Sequence, residues 1–381
     1  MATEPLPDHP ALRHGRRERA FAAMDEHDLD VLVLGRVANM RYVSGVPMLW
    51  NAGTRPFGPG CVAVRATREI YLLSTWDEGV PEEIPHDHLY GITWNPMNMV
   101  EMLKGVATDI EPGRVGTDAM SPLFAQLLPM AFPKADVVDA GPALRGARRI
   151  KTGDEVDAIR RATAVADAAL AAAVAELRPG VSERELTGVF MDAMASRGVT
   201  TPATQDVVRI TSAGASRGAS GDGRVQAGDL VAFDAGVVAD GYAGEVGRTW
   251  PVLRNGSARA YEGLHRRWAR LWARLLDACQ PGAPASGLLE AYRAAGEPLP
   301  VVPIGRGLGL GYDDPVVTRD LPETAAREGL DPGVALVVTG CVFDDTIGSV
   351  IVHEPVLITA DGPELLSRSP FWIPEPAGAP T

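Results

Sequence analysis

The chain has 381 residues and a mass of 40.3 kDa, with 46% hydrophobic and 22% charged residues. That is enough for two domains with substantial cores, and it excludes disordered and collagen-like classes. A formal net charge of −13 disfavours nucleic acid or an anionic membrane as the main partner, while leaving room for a local basic patch that binds an anionic substrate. No opening stretch has the order of a signal peptide and no apolar run reaches the length of a membrane span, so a cytoplasmic protein is expected.

The first half reads as α/β. A polar helix is expected over residues 12–27 and a buried strand over 30–34, and Arg41-Tyr42-Val43-Ser44-Gly45 then leads into a Pro/Gly-rich loop. Strands at 61–64 and 70–73 continue the pattern. A boundary near 145–151 gives domains 1–147 and 148–381. Cys61, Cys279 and Cys341 are widely spaced and odd in number, which suggests buried thiols and no disulfide framework.

The second half opens on Thr152 and Glu155, spaced as a capping box. Val156, Ile159, Thr163, Ala166, Leu170 and Val174 follow at helical spacing, and Arg178-Pro179-Gly180 is expected to end the helix. Ser182 and Glu185 form a second box, opening a helix to about residue 194. Strands are expected at 207–211, 230–237, 248–252, 335–338 and 350–358, with helices at 258–278 and 288–295. The Pro-rich tail after Ser369 is expected to fray.

Phe233-Asp234-Ala235-Gly236, followed by Gly241-Tyr242-Ala243-Gly244-Glu245-Val246-Gly247-Arg248-Thr249, places two acids eleven residues apart in a glycine-rich frame. These segments resemble the D-x-G…G-Y-x-x-D-x-x-R-T signature of the pita-bread family, which includes aminopeptidase P, prolidase, methionine aminopeptidase and creatinase. Asn39-Met40-Arg41-Tyr42-Val43-Ser44-Gly45 is similar to an element of the creatinase and prolidase N-terminal lobe. The resemblance covers almost the whole chain. It implies an α/β fold, with a creatinase-like N-terminal α/β domain and a C-terminal pita-bread (α+β) domain.

In the metal-dependent members, two Asp, one His and two Glu hold a pair of divalent ions that activate a water. The resemblance places Asp234 and Glu245 at the first two ligand positions, the second being Asp in the family. The histidine of G-H-G-x-G-L falls on Arg306 in Gly305-Arg306-Gly307-Leu308-Gly309-Leu310, and a guanidinium has no lone pair to donate. The two remaining glutamates fall on Thr339 and His353, although a one-residue slip would put Glu354 in the place of His353. Two catalytic histidines correspond to Arg217 and to Asp313, beside Tyr312.

Two carboxylates in one pocket repel unless a cation sits between them, and Arg306 can supply that charge through a planar fork. The expectation is therefore a metal-independent enzyme with no cofactor, acting on a small polar, amino-acid-like substrate by C–N hydrolysis of the creatinase kind or a related elimination. His353 would move the proton, with Glu245 and Asp234 as the other catalytic groups. Arg306, Arg217, Thr339, Asp313 and Tyr312 would bind substrate, joined by Trp50 and Arg55 reaching across a two-fold homodimer.

Two other readings stay open. One is a non-catalytic pseudo-peptidase that binds a ligand, and the other is a single-metal Xaa-Pro-type peptidase using Asp234, Glu245 and His353. Each residue also has a bland role open to it, Asp234 as a strand-end acid, His353 as a core histidine and Arg306 as a neutraliser of a disused site.

Overall fold

The structure is a computed structural model describing residues 9–46, 60–93, 95–106, 108–118, 122–205, 207–213, 223–254, 258–320 and 327–372. The chain divides into two compact units, Pro7–Arg148 and Arg149–Thr381.

In the first unit, α1 (Pro10–Glu26), β1 (Val31–Leu34), α2 (Val37–Ser44), β2 (Cys61–Val64), β3 (Glu69–Leu73) and β4 (Leu89–Tyr90) precede α3 (Pro96–Val106). β5 (Arg114–Thr117), α4 (Pro122–Ala131), β6 (Asp136–Asp139) and α5 (Gly141–Arg149) complete it. The described strands form one sheet in the order β4-β3-β2-β1-β5-β6. All four residues of β1, Val-Leu-Val-Leu, are buried, as expected of a central strand covered on both faces. Residues 41–45 close a helix, α2, which ends on Gly45 at φ 80°. A left-handed cap is the ordinary use of glycine there.

The Asn39–Gly45 element is structural in this unit. Asp118 accepts from the Gly35 amide (2.7 Å) and from the Asn39 side chain (2.7 Å), and Arg148 donates to Asn39 Oδ1 (2.6 Å). The Tyr42 hydroxyl donates to the Ala147 carbonyl at 2.8 Å. Trp50 and Arg55 lie outside the described residues.

The second unit begins with α6 (Gly153–Ala175) and α7 (Glu183–Ala195), each opened by a complete capping box on Thr152–Glu155 and Ser182–Glu185. α6 stops at Ala175, before Arg178-Pro179-Gly180, so the proline does not itself end the helix. β7 (Thr201–Pro202), β8 (Val208–Ile210), β9 (Leu230–Ala239), β10 (Tyr242–Pro251), α8 (Glu262–Ala278) and α9 (Gly287–Ala295) follow. β11 (Gly305–Leu308), β12 (Tyr312–Val317), β13 (Ala335–Asp344), β14 (Gly348–Thr359) and β15 (Gly362–Leu365) finish the unit. The sheet runs β12-β11-β13-β14-β10-β9-β7, with β8 also on β9 and β15 also on β14.

β10 starts at Tyr242, six residues before the expected strand, because its glycines are there to let neighbours close in. A Cβ on Gly244 would lie 2.3 Å from the Ala162 backbone of α6, so helix and strand touch main chain to main chain. The tail is also ordered further than expected. Phe371 packs 5.2 Å from the ring of Trp268 and Trp372 lies 5.7 Å from that of His265.

Strand alternation gives the sheet two unlike faces. Val231, Phe233, Ala235 and Val237 pack into a core with Ala162, Ala166, Leu186 and Phe190 of α6 and α7. Leu336, Val338, Val350 and Val352 pack with Trp268, Leu271 and Leu288 of α8 and α9. The opposite face carries Asp234, Glu245, Arg306, Thr339 and His353. On the helix-covered face, Glu354 and Arg248 form a buried ion pair at 2.5 Å, with Ser367 bonded to both.

Gly244→Ala should destabilise the protein by about 1–3 kcal/mol through overpacking against α6. Urea unfolding will measure this. A parent-like midpoint would show that α6 and β10 can separate without cost.

Candidate functional site

Register alone gathers the site. Asp234 pairs with Gly247 and Glu245 with Gly236 across β9 and β10. Gly247 pairs with His353 of β14, His353 with Thr339 of β13, and the Thr339 strand with Arg306 of β11 through Val337. Directly paired residues, and residues two apart, share a face. Asp234, Glu245, His353, Thr339 and Arg306 therefore stand together on the face away from the helices. Gly247 makes room for the imidazole, since a Cβ there would lie 2.5 Å from His353 Cδ2.

The Arg306 guanidinium is in direct contact with Glu245 Oε2, and both side chains are nearly enclosed. His353 Nδ1 is hydrogen-bonded to Thr339 Oγ1 at 3.0 Å and lies 4.0 Å from Glu245 Oε1. Thr339 is itself pinned, its carbonyl accepting from the Tyr292 hydroxyl at 3.0 Å. Behind Asp234, the Thr204 hydroxyl donates to the Asp234 carbonyl (2.6 Å) and accepts from the Gly236 amide (3.1 Å).

The protonation states follow from enclosure. Burial, then the adjacent charge of Glu245, raise the Asp234 pKa well above the ordinary carboxylate value, with Arg306 and Arg209 opposing. Burial lowers His353 to about 4, with Arg306 and Arg248 adding to the effect and Glu245 opposing it. In neutral solution the imidazole is an uncharged base and Asp234 is drawn toward its protonated form.

Of the remaining residues singled out in the sequence, Asp313 sits on β12 opposite Gly307, and its carboxylate is held by Lys151 at 2.6 Å with both side chains buried. Tyr312 begins β12, but its side chain falls outside the described residues, as does Arg217. Glu354 faces Arg248 on the helix-covered side, so His353 and not its neighbour belongs to this face. Arg209 was missed. On β8, it pairs with Ala232 of β9, and its charge reaches Asp234. The signal was available in the sequence, since 207–211 was expected to be a strand and Arg209 is a polar residue in the middle of it. Cys341 is half-buried, unlike Cys61 and Cys279, and burial raises its thiol to about 11.

A pair of ions does not fit these residues. The guanidinium of Arg306 engages one oxygen of Glu245, and its fixed charge occupies the space a cation would need. One ion is a different matter. Asp234, Glu245 and His353 each offer a donor atom, all within 4.8 Å of one another, and Asp234 Oδ1 and Glu245 Oε1 are buried acceptors with no hydrogen-bond partner among the described residues.

A two-domain α/β chain with paired acids on an antiparallel sheet face falls in a known class. Residues 157–360 match the profile of metallopeptidase family M24, and residues 16–150 match the creatinase/prolidase N-terminal domain. The chain belongs to metallopeptidase family M24. It is 24% identical over 363 residues to the Xaa-Pro dipeptidase of Pyrococcus furiosus, covering 93% of this chain and 98% of that one. Its fold is that of a prolidase from Pyrococcus horikoshii (TM-score 0.75, 20% identity, 93% and 99% of the two chains). It is equally that of an Xaa-Pro dipeptidase from Bacillus anthracis (TM-score 0.76, 18% identity, 95% and 99%).

Arg306→Ala should cost about 3–5 kcal/mol, because it leaves two enclosed carboxylates without their cation. Denaturant unfolding of the variant will show it, and a parent-like stability would mean that Arg306 does not neutralise the pair. A second expectation concerns pH. A base whose folded pKa is depressed from 6.5 to about 4 gives stability that is complete above 6.5 and is lost as pH falls toward 4. His353→Gln should remove up to about 3 kcal/mol of that loss. Melting curves of parent and variant from pH 7 to 4 that stay parallel would rule this out.

Proposed function

We propose that the chain is a hydrolase that cleaves a C–N bond of a small polar, amino-acid-like substrate without a metal ion. The observation that carries this reading is the Arg306–Glu245 contact, which puts a permanent cation against an acid at a position where the family resemblance leads one to expect a metal ligand. Relatives named as dipeptidases support the reaction class, since a peptide bond is a C–N bond.

The residues divide the work as follows. Thr339 holds His353 through Nδ1, which leaves Nε2 to take a proton from water as its oxygen attacks the substrate carbon. Glu245, locked by Arg306, faces the same ring. The negative charge developing on the substrate is offset by the Arg306 guanidinium. As the C–N bond breaks, the leaving nitrogen takes the Asp234 proton, and the proton that His353 took from water passes through solvent to re-protonate Asp234, which restores both groups. A substrate with an acidic hydrogen beside the C–N bond would undergo elimination with the same base and acid.

A second reading, a single-metal Xaa-Pro-type peptidase, is favoured by the three donors within 4.8 Å and their two unsatisfied oxygens. Elemental analysis of the purified protein separates the two. The first reading expects well under one Mn, Zn, Fe or Co per chain and hydrolysis of peptides and amidine-type amino acids that chelators do not affect. A tightly held ion whose removal abolishes turnover would replace the first reading with the second. The pH profile is a further check. Without a metal, kcat/KM should fall below about pH 4 as His353 is protonated, and again as the pH rises through the raised pKa of Asp234.

A further inference from the structure

The face that carries the reacting groups does not stop at Thr339 and His353. The same pairing of β13 with β14 continues outward through Cys341 with Ile351 and then Phe343 with Ser349. Residues two apart along a strand share a face, so both pairs stand on the site's side of the sheet. Burial agrees with that placement. Val338, Val342, Val350 and Val352 are buried under α8 and α9, while Cys341, Ser349, Ile351 and His353, which alternate with them, are half-buried. Exposure also rises along β13, from 1% at Thr339 through the half-buried Cys341 to 39% at Phe343. The face is thus closed at the reacting groups and opens toward Phe343.

The Cys341–Ile351 pair lies next to the reacting groups on the way out, and its chemistry is apolar. Burial pushes the Cys341 thiol up to about 11, so it stays protonated and behaves as a small hydrophobe. The main-chain amides of the pair are committed elsewhere. Cys341 donates to the Tyr292 hydroxyl at 2.8 Å, Ile351 donates to the Thr249 hydroxyl at 2.9 Å, and that hydroxyl donates back to the Ile351 carbonyl at 2.8 Å. What the pair presents to an incoming molecule is side-chain carbon and sulfur. Directly paired side chains lie about 5 Å apart, close enough to make one contact surface. Binding pockets combine such a surface with a few polar groups that fix orientation. The spacing sets which part of a substrate lands there. Two residues along a strand are about 7 Å. A branched or aromatic side chain on the carbon next to the reacting C–N bond spans that step, and a methyl group does not.

We propose that Cys341 and Ile351 form a specificity subsite that holds an apolar side chain of the substrate, carried on the carbon beside the C–N bond presented to His353. This rests on reading the face as a substrate site, and it adds a large apolar side chain to the polar, amino-acid-like class.

The test compares N-acetyl-L-leucinamide with N-acetyl-L-alaninamide. Both are uncharged, carry an amide on each side of the central carbon and differ only in the side chain. Each is titrated by calorimetry into the full-length parent, Ile351→Thr and the double variant Cys341→Ser/Ile351→Thr. The leucine amide should bind the parent at least about tenfold more tightly than the alanine amide, the order expected for burying the added methylene groups. Ile351→Thr should reduce that ratio and the double variant should bring it to about one. The affinity for the alanine amide, which does not reach the pair, should stay at the parent value in both variants and so report that they are folded. Equal binding of the two amides by the parent, an equal loss for both in the variants, or a leucine preference that persists in the double variant overturns the proposal. If a persistent preference is accompanied by dissociation of the variant in sedimentation, the pair belongs to a contact between subunits. If neither amide binds the parent, the reading of this face as a substrate site fails and the proposal fails with it. A leucine preference that the double variant loses, in a parent that hydrolyses no C–N bond, keeps the subsite and removes only the hydrolase reading.

Discussion

Two carboxylates held on one enclosed sheet face cannot both stay ionised without a cation, and the contact between Arg306 and Glu245 is this chain's answer to that constraint. The rest of the site follows from it. With one acid fixed as a paired carboxylate, burial and its neighbour's charge push the other toward holding a proton. Burial above all, with arginine charge on both sides of the sheet adding to it, holds the imidazole neutral against the pull of Glu245. A base, an acid and a fixed cation thus arise from one ion pair and from the exclusion of water.

The sheet keeps this chemistry apart from a second ion pair of similar make-up. Arg248 and Glu354 are each one residue from a site position, yet alternation turns them to the helix-covered face. There they are fully enclosed, tied to Ser367 and to the Ser369 carbonyl, and Phe371 stacks on the guanidinium at 4.3 Å. That pair fastens the chain's last described segment to the sheet. One residue of register decides whether an acid serves structure or the open face, so a slip between His353 and Glu354 would exchange the two roles.

Periodicity and capping made much of the fold legible. Both capping boxes formed as spaced, and β8, β9, β13 and β14 lie where β-branched residues cluster, whereas β7, β11 and β15 have no such cluster. What composition hid was the first half of β10, because a strand containing two glycines scores poorly on intrinsic preference. Its glycines are explained only by what approaches them, the α6 backbone at Gly244 and the His353 ring at Gly247. The resemblance pointed to five site positions and the register gathers them, but protonation states could not be read from sequence, because they depend on burial. Arg209 lies on β8, outside the family's motifs, so the resemblance carried no signal for it.

The frame and the chemistry occupy different residues, which gives a physical account of how one can persist while the other changes. Gly244, Gly247 and Gly309 are fixed by close approach, and Gly309 has the Lys151–Asp313 pair where its side chain would be. Glu155 closes the cap of α6 and also accepts from the Tyr242 hydroxyl, linking the helix start to β10. Apart from the His353 ring over Gly247, none of these contacts uses Asp234, Arg306, Thr339 or His353. Those four project from strands whose positions are already determined, so their identity is limited chiefly by mutual charge balance and, for His353, by the space above Gly247. A histidine-to-arginine exchange in such a place leaves the backbone path intact while adding a permanent positive charge, and the neighbouring side chains must then be compatible with that charge.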